Sequence, residues 1–290
     1  MHDYVIITDA TADLPVEILN KLSVDVVPMQ FQIGEDNFTH YPDAREMSFH
    51  DFYERLSSGD LATTSQINAY TYTEFFTPYL QKGLDILYIA FSSGLSGTYN
   101  ASTIAAQELM EKYPERKVYC IDSLCTSVGE GMLVYYAALK KQEGLDIDQL
   151  KEWVEKTRGT ICHWFTLYDI NYLRRSGRVN LLVAGLASML SIKPVLHVDD
   201  LGFLVAVGKA RGRKKALTAL VEQMEKTCVN PEEQVVFIGH GDYEEDAIYV
   251  ADLIRSKFKV KDIIITHIGP IIGAHTGPGV LSIFFFGNKR

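Results

Sequence analysis

The sequence has few cysteines, no long apolar run and an excess of acid over base. Four residues of 290 are cysteine: Cys120, Cys125, Cys162 and Cys228. None forms a C-x-x-C pair or stands at zinc-ligand spacing, which argues against a disulfide scaffold and a structural zinc site. Reduced, mostly buried thiols in a cytoplasmic setting are expected instead. The longest apolar stretch, Leu181 to Leu190, is too short to span a bilayer, so stable membrane insertion is not expected. Met1-His2-Asp3-Tyr4 opens without a basic region followed by an apolar one, and no secretory signal is expected. The formal net charge of −9 argues against nucleic acid or an anionic membrane as a general partner. Internal repeats and low-complexity tracts are lacking, as is any Gly-Lys-Ser/Thr phosphate loop.

What is present is an ordinary globular composition, 47% apolar and 22% charged, with enough apolar mass for a sizeable core. The length suits one large or two medium domains. Strand-like runs at Val5–Asp9, Val24–Met29, Asp85–Phe91 and Val118–Asp122 alternate with helical patterns. Phe49, Phe52, Tyr53 and Leu56 recur at i, i+3, i+4 and i+7 behind a capping Ser48. Further helices are expected through Phe75 and Phe76, at Thr98–Lys112, and at about Thr126–Lys141. Asp13 is expected to cap a helix with Pro15 in its first turn. This alternation predicts an α/β fold whose mainly parallel sheet is flanked by helices. In such sheets ligands sit beyond the carboxyl ends of the strands, where the loops after Thr8, Phe91 and Asp122 lie.

The second half reads differently. Strands are expected at Ile161–Leu167, Val235–Gly239, Ile263–Ile268 and Val280–Phe286. A hairpin is expected at Lys193–His197 and Phe203–Val207 around Asp199-Asp200-Leu201-Gly202. Helices are expected at Arg213–Cys228 and Tyr243–Lys257, the latter behind a capping-box-like Asp242 and Glu245. The division predicted is an N-terminal α/β domain over residues 1–160 and a smaller C-terminal α/β domain over 161–290, with an approximate boundary.

Three segments carry polar chemistry. Phe91-Ser92-Ser93-Gly94-Leu95-Ser96-Gly97-Thr98 joins a strand to a helix, and its glycines leave N–H groups free for an anion. It reads equally as a capped βα loop. It is not a nucleophile elbow, because Thr98 stands where G-x-S-x-G needs glycine. Thr63-Thr64-Ser65-Gln66 reads as a polar loop or a cluster of ligand-binding hydroxyls. The third, Ile268 to Gly279, is rich in glycine and proline and should be irregular, with His275 its one ionisable side chain. Basic residues gather at Arg174, Arg175 and Arg178, and at Lys209, Arg211, Arg213, Lys214 and Lys215. They suit a solvated surface, or a docking patch for an acidic partner or a nucleotide phosphate.

Taken in order, the segments Thr8-Asp9-Ala10-Thr11-Ala12-Asp13-Leu14-Pro15, Thr64-Ser65-Gln66, Ser92 to Thr98, Asp122-Ser123, Leu173 to Arg178, Lys193-Pro194 and Gly273 to Gly279 resemble the DegV family. These are fatty-acid-binding proteins that include the binding subunits of bacterial fatty acid kinase. The resemblance spans nearly the whole chain. It implies two α/β domains with an acyl chain buried between and within them, no catalysis by this chain, and no cofactor. It implies a long-chain fatty acid as ligand, and a kinase partner that forms an acyl phosphate for phospholipid synthesis. By the same resemblance Thr64 and Ser93 hydrogen-bond the carboxylate with His275 nearby. The adjoining Thr63 and Ser96 are candidates for the same contact, and Arg178 and Arg211 for docking the partner. Many relatives have proline where this chain has Ile67. Two other readings remain. One is a serine hydrolase using Ser93 or Ser96 with His275 and Asp9 or Asp122. The other is a module for a different small anion, such as a phosphate metabolite.

Overall fold

The protein is described by a computed structural model covering residues 3–178 and 192–290. The apolar stretch Leu181 to Leu190 lies outside the described residues. In chain order the first half runs β1 (Tyr4–Asp9), α1 (Val16–Leu22), β2 (Val24–Val27), β3 (Met29–Ile33), β4 (Asp36–His40), α2 (Phe49–Ser57), β5 (Ala62–Thr64), α3 (Ala69–Gln81), β6 (Asp85–Ala90), α4 (Thr98–Lys112), β7 (Val118–Asp122), α5 (Val128–Gln142) and α6 (Ile147–Thr157). The second half runs β8 (Ile161–Thr166), α7 (Asn171–Ser176), β9 (Ile192–Val198), β10 (Leu204–Arg211), α8 (Arg213–Thr227), β11 (Val235–His240), α9 (Glu244–Lys257), β12 (Asp262–His267), α10 (Pro270–Thr276) and β13 (Leu281–Phe286).

Strands β2-β1-β6-β7 form a parallel sheet. Every residue of β1 and β6 is buried, as apolar strands covered on both faces must be. Their alternation sorts two cores. Val5, Ile7, Ile86 and Tyr88 face a cluster containing Tyr72, Phe76 and Ala105 of α3 and α4. Ile6, Leu87 and Ile89 face one containing Met132, Val134 and Leu150 of α5 and α6. The second sheet, β10-β9-β8-β13-β11-β12, is antiparallel apart from the β11–β12 pair. It sends Phe237 and Phe284 to the same side as α5, and Val236, Ile238, Ile283 and Phe285 towards α8 and α9. Helix α5 is thus shared by both sheets. A small antiparallel sheet, β4-β3-β5, joins the first core through Phe31 and Ile33.

Several local expectations are corrected. Val24–Met29 is not one strand: Pro28, which has no N–H to donate, separates β2 from β3, and the two belong to different sheets. Asp13 does not cap α1. It sits at φ +50°, and its carboxylate accepts from Ser127 Oγ and the Gly269 amide instead. Asp242 does not cap α9; it pairs with His50 Nδ1 at 2.9 Å. Thr63 and Thr64 lie in β5 rather than in a loop, and the segment after Ile268 contains α10.

Helix α5 crosses the loop after β1 at very close range. A Cβ added at Gly131 would lie 2.3 Å from Ala12 O. Gly131→Ala is expected to destabilise the fold by about 2 kcal/mol through this overpacking. Urea unfolding checks it, and an unchanged midpoint would contradict the close packing.

Candidate functional site

The ends of β1, β5 and β6, the start of α4, and helix α10 converge on one cavity of about 340 Å³. Its mouth carries Gln66, Gly97 and Arg178, all exposed. Its interior is lined by buried side chains, among them Thr11, Met29, Leu173, Leu204 and Ile271. A smaller hollow of about 40 Å³ adjoins it as a branch deeper in the fold, sharing Thr126, Leu204, Ile272 and Thr276 with the main cavity. It ends among Phe165, Val280 and Phe284. A second hollow of about 260 Å³ adjoins the mouth and shares Thr64, Arg178 and His275.

At the mouth β5 and α10 bring two predicted residues together: Thr64 Oγ1 lies 2.9 Å from His275 Nε2. Alternation along β5 separates the adjacent hydroxyls, leaving Thr63 exposed while Thr64 turns to the histidine. Burial, reinforced by the nearby Arg178 guanidinium, pushes His275 down to about 4, so the ring is neutral at pH 7. A neutral imidazole has one N–H and the threonine one O–H. When Nε2–H closes the pair, the threonine O–H remains for a ligand.

Because the folded chain favours neutral His275, its contribution to stability is complete above the ordinary 6.5 and is lost as pH falls towards about 4. The ligand-free His275→Gln variant is therefore expected to lose stability less steeply than the native chain across that window. Urea midpoints at several pH values measure this, and equal slopes would contradict it.

The serines sort differently. Ser96 lines the cavity, and its Oγ lies 2.8 Å from Thr98 Oγ1. Ser93 is exposed and outside the cavity lining, and its backbone N–H donates to Asp122 Oδ1. Ser92, buried, donates to Gly202 O. The geometry required of a hydrolase relay does not form around these groups. His275 Nε2 meets a threonine, Asp9 is bound by Thr11, Tyr88 and Phe91, and Asp122 accepts amides from Ser93 and Leu124. Arg178 stands at the mouth, whereas Arg211, exposed at the end of β10, does not line the cavity. Among the described residues, no group of three or more His, Cys, Asp or Glu is placed to hold a metal ion, and no helix is long and apolar enough to cross a membrane.

Residues beyond the sequence-based candidates complete the site. Thr11, Gln66, Thr98 and Thr126 line the cavity. Behind Thr11 lies a buried network. Thr11 Oγ1 is 2.5 Å from Asp9 Oδ1 and 2.8 Å from Glu130 Oε2, while Tyr88 OH donates to Asp9 Oδ2 at 2.7 Å. Burial raises both carboxyls, Glu130 well above the usual carboxylate range. Glu130 carried no local sequence signal, since the first turn of a helix is an ordinary place for an acid.

Comparison with known proteins agrees with this architecture. The chain is 43% identical over 290 residues to a DegV domain-containing protein of Clostridium perfringens, covering all of this chain and 99% of that one. Its structure superposes on a DegV lipid-binding protein of Thermotoga maritima with a TM-score of 0.84 at 27% identity, covering 99% of each chain. It superposes on a DegV family protein of Thermus thermophilus, described for its fatty acid binding, with a TM-score of 0.87 at 26% identity, covering 99% of this chain and 100% of that one. The DegV family model matches residues 3–288, and the chain belongs to the DegV family.

Proposed function

We propose that this chain binds a long-chain fatty acid, holding the tail in the cavity and the carboxylate at its mouth. One observation carries the reading: an inward-running cavity with a buried, largely apolar lining carries the neutral Thr64–His275 pair at its mouth, with the Arg178 guanidinium beside it. Relatives of the same fold, from Thermotoga maritima and Thermus thermophilus, bind lipid and fatty acid respectively. Burying about fifteen methylenes gives roughly 12 kcal/mol before association costs, so the tail supplies most of the affinity. The head contacts set position. Thr64 and His275 are assigned to the carboxylate, with Ser96 beside them and Ser93 and Thr63 at the rim. A carboxylate held by hydroxyls and the N-terminus of α4 is less costly to bury than an unpaired one.

The finer reading is that the bound acid is presented to a fatty acid kinase, which makes the acyl phosphate used in phospholipid synthesis. This chain supplies no catalytic group, and residues 1–160 and 161–290 act as two domains. Arg178 at the mouth and Arg211 on β10 are assigned to docking. Arg211→Ala is expected to lower acyl-phosphate formation by the kinase about tenfold while leaving lipid affinity unchanged. Equal loss of both would make the arginine structural. The fatty-acid reading is tested by native mass spectrometry and solvent extraction of the purified protein. A co-purified long-chain fatty acid supports it; a small phosphate metabolite in its place overturns it.

A further inference from the structure

We propose that the inner wall of the cavity is a hydrogen-bond acceptor surface backed by negative charge, and that it selects chains with a single acidic end. A long-chain monocarboxylic acid enters; a chain with a carboxylate at its far end is rejected. This rests on the fatty-acid reading and adds a basis for specificity.

The inference comes from counting protons. Thr11 Oγ1 lies within hydrogen-bond distance of Asp9 Oδ1 and Glu130 Oε2, yet a hydroxyl has one proton. Both contacts are good only if one carboxyl is protonated. Asp9 also receives the Thr11 amide, the Tyr88 hydroxyl and the Phe91 amide, which favours its ionised form. Glu130 has only the hydroxyls of Thr11 and Thr8, and Thr8 also faces Ile89 O. The proton therefore sits on Glu130. The chain runs from Glu130 O–H to Thr11 Oγ1, and from Thr11 O–H to ionised Asp9. Thr11, which lines the cavity, is left with no proton to offer a ligand, and a buried negative charge lies behind it.

The branch repeats the arrangement. Ser127 lines it and donates to Asp13 Oδ2 at 2.5 Å, while the other Asp13 oxygen accepts the Gly269 amide. Thr276, shared by cavity and branch, donates to Ile272 O at 3.0 Å. Thr126 alone, among the described residues lining the branch, has a hydroxyl free to turn either way. Ser282, also in the branch, donates to Gly239 O, so four inner hydroxyls have their protons committed to protein acceptors, whereas the mouth offers the spare Thr64–His275 proton and the Arg178 guanidinium. A carboxylate is stabilised at one end of this gradient and repelled at the other.

The test uses the native chain and four ligands: hexadecanoic acid and its ω-hydroxy, ω-amino and ω-carboxy derivatives, titrated calorimetrically at pH 8. That pH lies above the value of about 7 to which burial raises Asp13. The ω-hydroxy acid is expected to bind within about threefold of the parent, because it can donate to the wall. The ω-amino acid is expected to bind at least about tenfold more tightly than the ω-carboxy acid. A merely apolar wall would penalise both ions alike. Equal affinities for the two ionic derivatives, or an ω-carboxy acid binding like the parent, would overturn the proposal. Failure of hexadecanoic acid itself to bind would instead overturn the fatty-acid reading, and this inference with it. In Asp9→Asn, with near-UV circular dichroism confirming the fold, the amino-to-carboxy ratio is expected to shrink about tenfold. An unchanged ratio in the folded variant would exclude Asp9 as the source.

Discussion

Leu204→Trp is expected to weaken fatty-acid binding about a hundredfold while leaving the chain folded. Leu204 begins β10, is buried, and lines both the main cavity and its inward branch. An indole there fills the junction and excludes the inner part of the tail. Losing burial of about four methylenes removes roughly 3 kcal/mol, a fall in affinity of about a hundredfold. The fold should tolerate the change, because β10 is the edge strand of its sheet and the new side chain enters existing space. Calorimetric titration measures the affinity, and a thermal melt reports the fold. Affinity within threefold of the native value in a folded variant would show that the tail does not pass Leu204.

Thr64→Val is expected to weaken binding by about tenfold to a hundredfold. Valine keeps the shape and the strand preference of threonine but removes the hydroxyl. A hydrogen bond to a charged group is worth about 1.5–3 kcal/mol. The valine also leaves His275 Nε2 without its partner, so the remaining donor is no longer oriented. The tail contacts are untouched, and the loss should therefore be smaller than for Leu204→Trp. Thr63→Val at the exposed neighbouring position is expected to change affinity less than threefold, since its side chain does not pair with His275. Equal losses for the two threonines would contradict the assignment made from the pleat of β5.

Much of the fold is legible where one periodicity dominates. Thr98–Lys112 and Val118–Asp122 match their elements end to end, and Ser48 caps α2 by accepting the Asp51 amide. Helix α6 is absent from the expected elements, although Asp146 and Gln149 form a capping box and Ile147, Leu150 and Val154 make its buried stripe. Other features depend on distant partners. Asp13 looks like a helix cap locally, yet Ser127 and Gly269 compete for its oxygens from far along the chain. Helix α10 is hidden because Gly269, Gly273 and Pro278 suppress local helix signals around a Pro270 that suits its first turn; Gly273 is required by the close approach of Tyr53.

The site divides in the same way. Thr64, Ser96, His275 and Arg178 stand out as hydroxyls, an imidazole and a guanidinium in segments of unusual composition, and the cavity gathers them. The choice between Thr63 and Thr64 needs the pairing of β5 with β3, which a single sequence does not specify. Glu130 meets Thr11 across 119 residues of chain, and only the packing of α5 against the loop after β1 makes that contact.

The most direct measurement is a crystal structure of the chain with hexadecanoic acid. The expected density places a carboxylate oxygen within hydrogen-bond distance of Thr64 Oγ1 at the mouth, with the hydrocarbon running past Leu204 and Ile272 towards Phe284. A carboxylate lodged beside Thr11 and the tail pointing outward, or a cavity that stays without lipid in the presence of excess ligand, would contradict it.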